Sequence, residues 1–449
     1  MPDPTGEEAI RRIAEAALDV PGAGEAEVLV LHEWGGLTRF ADSAIHQSTA
    51  REETGVKVRV IVDGCIGVAD TNDLTPEGAA AAAGSALELA RVAAPDPEFA
   101  SLAPPEEVTA PPGYDAATAA STPADRAEAI HALIAACRDG FRAAGAYETS
   151  AMEVAVANTE GQFVHALTTR ANLTTVISGG YGGAGFAEVT ARWREEIDPG
   201  AVGARAFAKA HDSQSPTDLD PGDYEVILEP AAVSTLLAFL AYLGFGGRAR
   251  TEGRSCFSGR EGEQLLSERI SIWDDGTSPH TLGIPFDFEG TPKRRVDLVR
   301  DGVVLGGVHD RRSARSAGTE STGHALPPPN PEGPFPLNLF LGAGDSSLED
   351  MIAGTTRGLL VSRFHYSNIV HPKEAIITGM TRDGTWLVED GEVRRPVKNL
   401  RFTQSIIGAL AGVEAVGTET ELASEFFFEA SRVPALKLSR FRFTGRSDH

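Results

Sequence analysis

His32-Glu33 is the first pair in this 449-residue chain whose side chains could do chemistry together. A zinc hydrolase helix of the HExxH type puts two His on one face, with the Glu between them as general base. Here Gly36 stands where the second His would be, and the neighbouring residues follow a strand pattern. The pair reads as structure. Gly180-Tyr181-Gly182-Gly183-Ala184-Gly185 matches GxGxxG. A dinucleotide site needs that run between a strand and a helix, so that the helix N-terminus meets the pyrophosphate. A strand does precede it, over 173–177, but Phe186 to Trp193 reads as another strand. The run is predicted to be a glycine turn. No Walker A lysine and no GxSxG elbow occurs, and Cys256 has Arg254 nearby but no general base in its surroundings. His365 and His371 lie close in the chain, yet a metal there would need ligands the pattern does not supply. The residues alone offer no intact catalytic constellation.

The elements that would position these groups fall into two sets. Ile10, Ile13, Ala14, Ala17 and Leu18 have helical spacing over Glu7 to Val20, ahead of Pro21-Gly22. Strand patterns follow at 27–32, 37–40, 55–62 and 65–68, the third with Val56, Val58, Val60 and Val62 in strict alternation. An Ala-rich helix to about Ala94 comes next, then a Pro-rich loop from Pro95 to Pro112. A second long helix is predicted from Pro123 to Ala144, capped by Ser121 or Thr122. Strands and turns fill 151–191, and a further helix is expected near 202–211. The polar stretch after Asp212 has the composition of a linker. The expected units are therefore an N-terminal domain over 1–212, a linker over 213–222 and a C-terminal domain over 223–449. In the last, Asp301-Gly302, Asp383-Gly384 and Asp390-Gly391 each separate apolar runs and are predicted to be hairpin turns.

Composition limits the partners. Lys plus Arg number 40 against 64 Asp plus Glu, for a formal net charge of −24. A nucleic-acid binder needs a basic surface to displace counterions, and anionic membranes ask for the same. Lys293-Arg294-Arg295 and Arg311-Arg312 are short and flanked by acidic residues. Neither nucleic acid nor a membrane is expected as a partner. Three cysteines, far apart, suit a reducing compartment, and the first residues show no signal-peptide pattern, so the expected location is cytoplasmic.

Three long blocks carry a resemblance. Residues 39–77 (RFADSAIHQSTAREETGVKVRVIVDGCIGVADTNDLTPE), 286–325 (FDFEGTPKRRVDLVRDGVVLGGVHDRRSARSAGTESTGHA) and 378–406 (TGMTRDGTWLVEDGEVRRPVKNLRFTQSI) resemble the TldD/PmbA family, also called modulators of DNA gyrase. The likeness runs from about residue 25 to 445. It implies an α+β protein, with an N-terminal α/β domain of mixed sheet and two long helices and a C-terminal domain of mostly antiparallel strands. TldD-type members of that family are metallopeptidase subunits with an HExxxH helix; PmbA-type members, also called TldE, lack it and pair with a TldD-type chain.

The matching helix here lies within EPAAVSTLLAFLAYLGFGG, residues 229–247. The family's motif falls on Ala238, Phe239 and Leu243, none of which can bind a metal or move a proton. No Cys follows Cys256 to serve as the C-terminal ligand of TldD-type chains. The resemblance therefore implies the metal-free branch: no cofactor in this chain, zinc in a TldD-type partner subunit, and a heterodimer (or, as the alternative, a homodimer) whose cleft takes an extended peptide. His324 is the first candidate to face that peptide, with Thr381, Arg382 and Asp383 behind it. Two other functions stay open at this point: a stand-alone metal-independent hydrolase in a biosynthetic pathway, and a regulatory binding protein.

The charge generates the first prediction. Duplex DNA is expected to bind no more tightly than ordinary nonspecific levels, and a submicromolar dissociation constant at physiological salt, in a fluorescence-anisotropy titration, would contradict it.

Overall fold

The alternating run through Val56, Val58 and Val60 becomes part of a 19-residue strand, with those three side chains fully buried. The computed structural model describes residues 2–109, 113–425 and 428–447, so the end of the Pro-rich loop at 110–112 lies outside the described residues. Six strands form the first sheet: β1 (Glu25–Ala41), β2 (Ala44–Val62), β3 (Cys65–Thr71), β4 (Arg142–Asn158), β5 (Phe163–Ser178) and β6 (Ala184–Ala191), in the order β3-β2-β1-β4-β5-β6. All its pairs are antiparallel, which corrects the mixed sheet expected here. The reason is local. Asp42-Ser43 and Asp63-Gly64 take positive φ and turn the chain straight back on itself, and such tight turns join only antiparallel neighbours.

Helices cover one face of this sheet. These are α1 (Glu7–Leu18), α2 (Pro76–Val92), α3 (Ala116–Ala119), α4 (Pro123–Ile134) and α5 (Pro199–Asp212). Ile10, Ile13 and Ala17 of α1 and the alanines of α2 pack on Val28, Val30, Val56 and Val58. At Gly67 a Cβ would stand 2.0 Å from the Ala86 carbonyl oxygen, so only glycine lets α2 lie this close to β3. Helix α4 starts at Pro123 as expected; of the two expected caps Thr122 takes the role, in a capping box with Asp125. It ends at Ile134 rather than Ala144, because Asp139 and Gly140 take φ of 53° and 82° and Arg142 enters β4. Arg126 of α4 is buried, donating to Thr38 Oγ1, Ser121 O and Thr149 Oγ1, each at 3.1 Å. A Cβ at Gly36 would lie 2.3 Å from its guanidinium. The glycine that spoils the HExxH spacing thus makes room for a buried arginine.

The opposite face is met by the C-terminal half. Leu29, Val154, Val156 and Val164, turned away from the helices by the pleat, pack against Ile284 and Phe286. Beside them Arg59 joins the halves: Nη2 donates to Glu27 Oε2 at 3.1 Å and Nη1 to Glu289 Oε1 at 3.4 Å.

After α5, residues 213–221 carry no helix or strand, and the chain enters β7 (Gly222–Leu228) and α6 (Pro230–Gly244). The second sheet adds β8 (Ile272–Asp274), β9 (Val296–Arg300), β10 (Val303–Val304), β11 (Leu339–Leu341), β12 (Arg357–His371), β13 (Ile376–Glu389), β14 (Glu392–Pro396), β15 (Leu400–Ser405), β16 (Val413–Glu425) and β17 (Phe428–Arg446). Its pairs are antiparallel except β7–β12 and β11–β17. Because β17 pairs with both β15 and β7, the strands β7-β12-β13-β15-β17 close into a ring. Phe364, Phe402 and Phe441 stack within its core, with centroids 4.6 to 5.5 Å apart. Asp301-Gly302 and Asp390-Gly391 are the expected turns. Asp383-Gly384 is not: it lies inside β13 as a bulge, where Asp383, Gly384 and their positive φ sit opposite the single residue Ser362. No helix among the described residues is long and apolar enough to cross a membrane.

The joint at Arg59 has a pH signature. Burial pushes Glu27 up to about 7 from 4.5, against the pull of the Arg59 charge. A carboxyl raised in the fold binds protons that the unfolded chain has released, so its contribution to stability falls as pH rises across that window. Urea unfolding at about pH 5 and about pH 8 is expected to show a loss of stability in the parent that is smaller in Glu27→Gln.

Candidate functional site

Glu229-Pro230 ends β7 and starts α6, with Pro at the first turn where its missing N–H costs nothing. From Ala232 to Gly244 every residue except Tyr242 is buried. A helix apolar on all sides has to be enclosed, and the ring of strands and β16 enclose it. Ala238 and Leu243, two of the three positions where a metal motif was sought, turn into that core at 1% and 6% exposure. Phe239, the third, stands at a cavity wall. None of the three side chains carries nitrogen, oxygen or sulfur, so the donor set does not fit a metal ion. Among the described residues no other group of three or more His, Cys, Asp or Glu is placed to hold one. Burial pushes the Cys256 thiol up to about 12, which leaves it an inert core residue.

Ala231, Thr235 and Phe239 recur every four residues along one stripe of α6 and border a cavity of about 780 Å³. Asn172 and Thr174 of β5 and Glu188 of β6 form the facing wall, and Arg363, His365 and Tyr366 of β12 form the side. A smaller cavity of about 330 Å³ adjoins it, and both share Phe186, Glu188 and Ala231. The cavity system thus lies where the first sheet meets α6 and the second sheet.

One side of this space is an open strand edge. β12 pairs with β7 only as far as Val361, while β13 holds its other side from Arg357 to His371. Residues 363–369 line the larger cavity with no strand on that edge among the described residues. Arg363 is held by Asp383, whose Oδ2 accepts from Nε at 2.8 Å, and its guanidinium lies 4.3 Å from the Phe186 ring centroid. Burial lowers the pKa of His365, and the Arg363 and Arg382 charges act in the same direction. Burial raises the pKa of Glu188, against the donors Thr190, Asn172 and Ser424 N–H.

The other candidates do different work. His324 is 1% exposed and borders neither cavity; its Nε2 meets Asp274 Oδ1 at 2.8 Å and its Nδ1 lies 2.9 Å from Thr322 Oγ1. It braces the loop 321–325 against β8 rather than facing an open cleft. Thr381 is fully buried and accepts from Leu400 N at 3.0 Å, tying β13 to β15. Arg382 precedes the bulge and Asp383 forms part of it, and Asp383 reaches the cavity only through Arg363. Glu188, Arg363 and Tyr366 were missed. Glu188 lies within the run Phe186 to Trp193 that reads as a strand, and nothing in its spacing shows that Ser424 and α6 close over it.

Comparison with known proteins agrees with this architecture. Residues 221–445 match the PmbA/TldA metallopeptidase C-terminal domain and residues 26–90 match the PmbA/TldA metallopeptidase domain 1. The chain is 25% identical to Metalloprotease PmbA of Escherichia coli O157:H7 over 390 residues, 83% of each chain. It is 27% identical to the Metalloprotease TldD homolog of Haemophilus influenzae over 238 residues, which is 51% of this chain and about half, 49%, of that relative. TldE from Thermococcus kodakarensis superposes with a TM-score of 0.87 at 24% identity, covering 98% of this chain and 99% of that one; at this identity the likeness speaks for the fold.

The buried pair predicts a stability effect at a candidate site residue. Burial alone would raise Asp274, but His324, Lys293 and the Asn338 N–H outweigh it and hold the carboxyl below its ordinary 3.8. A depressed carboxyl contributes stability above its unfolded value and loses it as pH falls through the folded one. Asp274→Ala is expected to cost about 3–5 kcal/mol near neutral pH, because it leaves His324 buried without its partner. Denaturant titrations are expected to show that deficit shrinking in acid, below about pH 4.

Proposed function

The chain belongs to the PmbA/TldD metallopeptidase family, and on that premise we propose that it is the noncatalytic, PmbA/TldE-type subunit of a peptidase. A zinc-binding TldD-type subunit is its partner, and extended peptides are the substrate. One observation carries the reading. The helix that would bear the metal motif lies beside the cavity; of the three motif positions Phe239 faces that space while Ala238 and Leu243 turn into the core, and none of the three carries a metal donor.

What this chain contributes is binding. The open edge of β12 at 363–369, interrupted by a bulge where Tyr366 takes a φ of 51°, offers backbone N–H and C=O groups on both sides of that bulge, and a peptide added there gains affinity largely independent of its sequence. Phe186 and Phe239 supply apolar wall, while Asn172, Glu188 and His365 supply polar groups for side chains. Zinc in the partner would supply the activation of water for amide hydrolysis. The residues here hold the chain extended while that happens.

The test is reconstitution. The isolated chain is expected to bind no stoichiometric zinc by elemental analysis. Peptide cleavage is expected only after addition of a TldD-type partner and to vanish when that partner's motif Glu becomes Gln. Hydrolysis by this chain alone, free of metal and partner, would overturn the proposal.

A further inference from the structure

Glu188 sits where the two cavities meet, and it is held in an uneven way. Its Oε1 accepts three hydrogen bonds, from Asn172 Nδ2 at 2.9 Å, Thr190 Oγ1 at 3.1 Å and the Ser424 N–H at 3.1 Å. Its Oε2 has no hydrogen-bond partner among the described residues. Three donors from three strands fix the carboxylate while one oxygen is left over.

The surroundings favour a positive ligand. The smaller cavity is bordered by Glu188, Glu229, Glu349, Glu419 and Glu421, against Arg205 and Lys209. Both cations are already engaged: Arg205 Nη1 on Glu421 at 2.8 Å, and Lys209 Nζ on Glu229 at 2.5 Å. Arg363 is taken by Asp383. Arg170 acts on Glu188 through space, but its own Nη2 donates to Ser424 Oγ at 3.2 Å. The wall also contains Ser362, 1% exposed, whose hydroxyl is buried without a hydrogen-bond partner. A buried polar atom left unmatched costs free energy until something pairs with it. A ligand with both a cationic donor and a carbonyl meets both needs.

We propose that Glu188 is a specificity residue whose free Oε2 receives an ammonium group of the bound peptide. The same chemistry is offered by a free N-terminal amine and by a lysine side chain. This inference rests on the peptide-cleft reading above, and narrows its substrate class to peptides bearing a primary ammonium next to the bound strand.

The experiment uses the assembled complex with the partner's motif Glu replaced by Gln, so that bound peptide survives. Four fluorescent octapeptides of one sequence are titrated: free amine with one lysine, N-acetylated with lysine, free amine with norleucine for lysine, and N-acetylated with norleucine. The first is expected to bind about tenfold or more tightly than the fully neutralised fourth, since a charge-assisted contact in a desolvated site is worth that much. Weakening of the second alone points to the N-terminal amine, and of the third alone to lysine. Glu188→Gln keeps an acceptor for its three donors; it is expected to erase the difference between the first and fourth peptides. Equal binding of all four peptides to the parent complex, or a preference that survives Glu188→Gln, overturns the assignment of Glu188 and leaves the peptide reading standing. Binding of none of the four overturns both.

Discussion

Enclosure of α6 is the constraint on which the C-terminal half depends, because Leu236, Leu237, Phe239, Leu240 and Leu243 leave the helix no face suited to water. Each such side chain gains about 1.5–3 kcal/mol on burial, so leaving the helix bare would cancel the stability of an ordinary domain. A single flat sheet covers one side of a helix. Closing β7, β12, β13, β15 and β17 into a ring, with β16 laid alongside, provides walls on several sides. The cavity follows from the same arrangement. The stripe Ala231-Thr235-Phe239 is covered by the first sheet across a gap, and that gap is the cavity of the candidate site.

The two halves are joined by unlike contacts. Apolar packing of Ile284 and Phe286 on the first sheet supplies area without direction. Arg59, between Glu27 and Glu289, supplies direction, since a guanidinium satisfies two carboxylates only in a narrow range of orientations. Orientation matters here because the walls of the cavity come from both halves, and a small rotation between them would change its width. A charged joint buried in this way adds little net stability but penalises misplacement.

Much of the frame was legible in the sequence. Period-two valines gave the second strand, Pro123 with Ser121 or Thr122 as cap the start of α4, and two of three Asp-Gly pairs the hairpin turns. Errors arose where a local rule met a tertiary demand. Alanine spacing carried the second long helix too far, since nothing in the pattern outweighed the helical propensity of Ala135 and Ala136 until Asp139-Gly140 reversed the chain. Asp383-Gly384 has the composition of a turn but serves a bulge that aims Asp383 at Arg363. The site was the least legible part. Resemblance pointed to α6 and to His324, whose partner Asp274 lies 50 residues away in the chain and buries it. Glu188 acquires its role from β5, β16 and α6 together, a convergence that no window of sequence contains.

The strand β17 holds an unusual share of this fold, pairing with β7, β11, β15 and β16 along its 19 residues. All four partners precede it in the chain. During synthesis they emerge from the ribosome with their common neighbour still untranslated, and the ring cannot close until that segment is free. For that interval α6, made some 200 residues earlier, stays on an open sheet, with its apolar surface available to other chains. Burial of α6 is thus tied to the last strand of the fold, and a chain cut short of β17 would leave that apolar surface uncovered.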